Sequence, residues 1–272
     1  MVDAASSSAS RRFTPHYILK TTGLLWFLVA VIGQWLFAYY VIAAYGPPTA
    51  SGNWASWDEV GLIQGFTEGD LIGNLTFVSH ALLTAIVCIG GTMQLMPPIR
   101  NRLPAIHRWT GRTYLLVAIL MSVGGIWMIW GRGSRLTELG GWGTTINGVL
   151  VLISAVTAFY FIKRRKVDKH RRWAMRTFIL LSGVWFTRLG YMSWAIATGG
   201  LGMSRTLDGP FDMFIAFGSY LLPLAVLELY FLASSSRSGG VKLAVSGLML
   251  GATAATALGV FGAWMMMWSP HI

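Results

Sequence analysis

Two short segments of this 272-residue chain carry its most reactive grouping of side chains. One runs His107-Arg108-Trp109-Thr110-Gly111-Arg112-Thr113-Tyr114, and the other His170-Arg171-Arg172-Trp173-Ala174-Met175-Arg176-Thr177-Phe178. Both contain Trp-x-x-Arg-Thr-aromatic with His-Arg just upstream, which is the mark of a parallel internal repeat. Two neutral imidazoles on different helices at matched depth can take both axial positions of a haem, and nearby arginines can neutralise its propionates. His107 and His170 are therefore the candidate metal ligands of a b-type haem, with Arg108, Arg112 and Arg176 beside them. His80 and Arg188 form a second candidate level, deeper in apolar sequence. Each lies about 13 Å from one end of its apolar run at the rise of an α-helix. An arginine at that depth costs at least about 2.5–3.5 kcal/mol and calls for a partner such as a carbonyl, a hydroxyl, a neutral His80 or an anionic ligand.

The elements that must position these residues are transmembrane helices. Hydrophobic residues make up 54% of the chain and charged residues only 11%, too few to hydrate a soluble domain of this size. Apolar runs long enough to cross a bilayer fall at about 22–44, 71–96, 113–130, 142–162, 174–197, 212–233 and 241–265. The expectation is an all-α polytopic bundle of about seven spans, occupying residues 21–268 behind a disordered basic tail at 1–20. Most of the 21 Lys and Arg cluster in the tail and in the loops around 100–112, 163–176 and 237–242, leaving Arg132, Arg135 and Arg205 opposite. By the positive-inside rule the N-terminus lies in the cytoplasm and the C-terminus outside. The loop at 45–70 holds Asp58, Glu59, Glu68 and Asp70 without Lys or Arg, so it faces outward, with Trp54 and Trp57 expected in the headgroup layer.

The paired segments resemble a family of predicted bacterial membrane proteins catalogued as a domain of unknown function. Its hallmarks are an HRWxGRxY and an HRRWMxR segment, a His in the preceding span, a Gln-Phe/Leu pair at that span's end, and a later intramembrane Arg. Here these are His80, Gln94-Leu95, the two segments quoted, and Arg188, with a departure at Ala174-Met175. The family-like core spans about 71–197. The resemblance implies a multi-pass protein of a bacterial inner membrane and carries no activity with it. A more distant likeness, of architecture alone, is to the cytochrome-b-type transmembrane oxidoreductases.

Other readings compete. Basic residues with Trp at cytoplasmic helix starts also bind anionic lipid headgroups. Gly247, Gly251, Ala255 and Gly259 form a small-residue stripe suited to close helix–helix packing, which fits an assembly subunit of a respiratory or photosynthetic complex. Arg188 with His80 could instead line the path of an anion transporter. Met265, Met266, Met267 and His271 are soft ligands, but consecutive positions point around a helix. The net charge of +11 does not indicate nucleic acid, because the cations sit in membrane-flanking loops. The lone Cys88 permits no intrachain disulfide, and Lys242, at a helix edge, cannot form a mid-membrane retinal Schiff base.

Overall fold

A computed structural model describes residues 14–61 and 63–272 of the chain. Residues 1–13 of the expected tail lie outside it. Residues 15–20 belong to the first helix, which Pro15 opens and the Thr14 hydroxyl caps by accepting from the Tyr17 amide.

The described residues are helical, without strands. Helix α1 is Pro15–Ser51, α2 Leu71–Leu95, α3 the short Pro97–Arg102, α4 Pro104–Trp130 and α5 Glu138–Lys163. Then come α6 Val167–Leu181, α7 Gly183–Thr198, α8 Pro210–Ser235 and α9 Gly239–Ala263. Six helices (α1, α2, α4, α5, α8 and α9) are long and apolar enough to span a bilayer. Large apolar residues at helical spacing, among them Leu24, Leu28 and Ile32 on α1 and Leu116 and Leu120 on α4, face outward. Such a surface needs lipid as its solvent. The chain is an all-α, multi-pass membrane protein.

The expected fifth span is built differently from the others. It is divided into α6 and α7 at Ser182, yet the hydrogen-bond ladder passes through: the Ser182 amide donates to the Phe178 carbonyl and the Phe186 amide to that of Ser182. Polar side chains surround the break. Asn147 on α5 donates to the Leu180 carbonyl at 3.0 Å, and Gln34 on α1 donates to the Ser182 hydroxyl at 2.9 Å, both buried. Ser182 in turn donates to the Phe178 carbonyl. These bonds compensate backbone and amide groups that lipid could not. Gln34→Leu should lower stability by about 0.6 kcal/mol, and not above about 1.7, the range for interhelical hydrogen bonds in membranes. Unfolding in mixed detergent micelles reads this out; a larger loss would mean that Gln34 holds more than Ser182.

Glycine sets the closest helix approaches. A Cβ on Gly143 would stand 2.5 Å from the Ala216 carbonyl oxygen, and one on Gly259 2.6 Å from that of Leu189, so α5–α8 and α9–α7 pack backbone to backbone. Of the expected small-residue stripe, only Gly259 packs within the chain; Gly247 and Gly251 have open space before them, and Ala255 is exposed. Met265 and Met266 are also exposed, on a π-helical turn that directs Trp268 inward against Phe37 and Tyr40.

The expectation for Trp57 needs correction. It is fully buried, stacked on Trp54 at 5.4 Å and packed against Phe77 of α2, rather than lying in the headgroup layer. The reason is the folding of the loop itself. Trp54–Glu59 forms a 3-10 turn, Asp58 accepts from the Gly65 and Phe66 amides, and Asn74 exchanges two hydrogen bonds with the Thr67 backbone. Arg132, from the α4–α5 connection, ties the loop down. It bonds Asp70 at 3.0 Å, the Gly65 carbonyl, Thr67 and Asn74.

Candidate functional site

The two copies of Trp-x-x-Arg-Thr-aromatic fold alike. In each, the arginine lies over the tryptophan ring three residues earlier: Arg112 over Trp109 at 4.9 Å, Arg176 over Trp173 at 4.6 Å. In each, the threonine hydroxyl donates to the tryptophan carbonyl, Thr113 to Trp109 and Thr177 to Trp173. The closing aromatics, Tyr114 and Phe178, are buried and meet at one point on α2. A Cβ on Gly91 would stand 2.9 Å from the Tyr114 ring and 3.1 Å from that of Phe178. The repeated sequence thus has a repeated local geometry, and its closing aromatics both seat at Gly91 of α2.

That seating brings the imidazoles to the same end of the bundle, His107 in the first turn of α4 and His170 in the first turn of α6. Both are half-buried and lie within electrostatic reach of each other, with Arg100 and Arg108 also near His107. His170 Nδ1 is 2.9 Å from the Ala158 carbonyl oxygen on α5. A carbonyl only accepts, so Nδ1 carries a proton and Nε2 is the ring nitrogen left to face a ligand. This is the tautomer of a metal-ligating histidine.

His107 is set by Gln94, in the last turn of α2. The Gln94 amide has two orientations with different consequences. With its nitrogen towards the Thr110 hydroxyl, its oxygen would face two acceptors, His107 Nδ1 and the His107 carbonyl, and its nitrogen the Gly111 N–H. Thr110 meanwhile keeps its own bond to the Ile106 carbonyl. Reversed, the amide nitrogen donates to His107 Nδ1 at 3.1 Å and to the His107 carbonyl at 3.2 Å, while its oxygen accepts from the Gly111 amide and Thr110. The reversed form satisfies more neighbours and is the resting arrangement. In it His107 Nδ1 accepts, so the neutral ring carries its proton on Nε2.

The remaining candidates divide. Arg176 is engaged by Glu228 of α8 through two bonds of 2.6 and 2.9 Å, so its charge is already matched. Glu228→Gln should destabilise the protein less than Arg176→Met, and a double-mutant cycle should show coupling of about 0.5–3 kcal/mol; additive single losses would mean that the pair is not coupled. Arg108 and Arg112 are exposed at the helix start. The structure does not pair His80 with Arg188. His80 Nδ1 is buried without a partner and faces Gly125 of α4, whereas Arg188 donates to the Val184 carbonyl of its own helix and lies over the Phe37 ring.

Sequence reasoning overlooked Gly91 as the meeting point of the repeats and gave Gln94 no chemical role. The signal for Gly91 was its position, one turn before Gln94 on the same helix. Among the described residues no group of three or more His, Cys, Asp or Glu is arranged to hold a metal ion.

No curated protein and no solved structure matches the chain. The model of one family covers residues 77–230, more than half of the chain, including His80, Gln94, both motif copies, Arg188 and Glu228. By that match the chain belongs to the family described as predicted membrane protein (DUF2306).

Proposed function

We propose that this protein holds a b-type haem between His107 and His170, in the cytoplasmic leaflet of a bacterial inner membrane, and serves in electron transfer. The observation that carries the reading is the equivalent placement of two imidazoles by the duplicated motif. Each ring is held through Nδ1, His170 by the Ala158 carbonyl and His107 by the Gln94 amide, and a haem would bind His107 as its other tautomer. The residues present fit the group. The Ala158 carbonyl would leave His170 Nε2 to the iron, and His107 would offer its own Nε2 after a change of tautomer against Gln94. Arg100 and Arg108, both near His107, are the cations suited to propionates, while Arg176 is not needed there because Glu228 already engages it. A haem held by two histidines supplies one-electron transfer without open coordination positions. The chain's own contribution is to orient both rings through their Nδ1 atoms.

The test is the reduced-minus-oxidised absorbance spectrum of protein purified in detergent after expression with ample haem. A Soret band with sharp reduced bands is expected, and it should be lost in His170→Ala while Arg188→Lys keeps it. A colourless wild-type preparation would overturn the reading.

A further inference from the structure

We infer that Arg188 forms a second site, for the acid head of a small ligand. The inference is independent of the haem reading. Arg188 sits about 15 Å along α7 from its Thr198 end at ~1.5 Å per residue, inside the bundle. A guanidinium has five N–H donors. Here one bond is made, from Nη1 to the Val184 carbonyl at 3.2 Å, within the same helix. The guanidinium carbon lies 5.3 Å from the centre of the Phe37 ring. Tyr40, Tyr45 and Cys88 are within electrostatic reach, and no carboxylate is among them. The Tyr40 hydroxyl donates elsewhere, to the Val60 carbonyl.

The surroundings add donors rather than acceptors. Trp185, one turn before Arg188, and Trp268, packed on Phe37 and Tyr40, belong to the same buried cluster at 3% and 1% exposure. Their indole N–H groups have no acceptor. Arg188 nevertheless retains accessible surface, although Phe37, Tyr40, Cys88, Trp185 and Leu189 around it are closed. A positive charge with unused donors, packed on a buried cluster that also holds two indole N–H groups without an acceptor, is complementary to an anion with several acceptor atoms. A carboxylate or phosphate head meets that description. It can arrive on a membrane-borne acid or as a free anion, and both present the same chemistry to Arg188.

Iodide is a suitable probe, because it is an anion and quenches indole fluorescence on contact. In the full-length protein in neutral detergent, iodide should quench with a saturable phase superimposed on the ordinary linear one. Octanoate displacing that phase would identify a membrane-borne acid as the source; phosphate alone displacing it would identify a water-borne anion. Arg188→Met should weaken the saturable phase roughly tenfold or more, the value of a charged hydrogen bond, whereas Arg188→Lys should retain it. Purely linear quenching of the wild type would overturn the proposal. So would a saturable phase that neither acid displaces, or one unchanged in a folded Arg188→Met protein.

Discussion

Arg132→Leu should be among the most destabilising substitutions in this chain, costing about 3–5 kcal/mol. The Arg132 side chain is 7% exposed and its partner Asp70 34%. Removing the guanidinium strands the Asp70 carboxylate and leaves the Gly65 carbonyl, Thr67 and Asn74 without their shared donor. Asp70 also caps α2 by accepting from the Gly73 amide, so the loss reaches the helix start. The buried Trp57, held over Phe77 by the same loop, would loosen with it. Arg132→Lys should recover only part of the loss, because an ammonium cannot reproduce the fork that reaches Asp70 and Asn74 together. Thermal unfolding in detergent, followed by tryptophan fluorescence, measures both variants. A loss below about 1 kcal/mol, typical of an exposed pair, would show that the loop is held by something else.

Gly91→Leu should separate the two motif copies. Tyr114 and Phe178 already occupy the space that a β-carbon would need, and both rings are buried. Overpacking of this kind costs about 1–3 kcal/mol. The functional loss should exceed the loss of stability, because Gly91 stands one turn from Gln94 and displacement of α4 moves His107 away from its amide. Gly91→Ala should be milder, since only ring atoms must yield. The expected result is a folded Gly91→Leu protein with strongly reduced haem retention, read as Soret absorbance per mole of protein. Wild-type retention in that variant would mean that the seating of the aromatics does not govern the imidazoles.

The legibility of this chain in its sequence follows from the physics of each feature. The long helices were readable because lipid demands runs of apolar residues, and the observed bounds of α2, α4, α5 and α8 enclose or nearly match the expected runs. The repeat was readable as well, since Trp-x-x-Arg-Thr recurs with its internal spacing intact. The fifth expected run was not seen to be divided, because its break depends on Gln34 and Asn147, which come from two other helices. Trp57 was misplaced for a similar reason: an aromatic near a membrane boundary reads alike whether it faces headgroups or fills a core. The pairing of Arg176 with Glu228 joins two helices far apart along the chain, which spacing within either segment does not mark. The proposed partnership of His80 with Arg188 rested on depth alone, and depth does not fix the direction in which a side chain leaves its helix.

The most direct test of the central claim is the ligation of the proposed haem, read by electron paramagnetic resonance of the oxidised, haem-supplied protein. Two imidazoles held through their Nδ1 atoms by Ala158 and Gln94 predict a six-coordinate, low-spin ferric signal, with His107→Ala and His170→Ala each converting it to high spin or losing the haem. A low-spin signal that persists in the double variant would contradict the account.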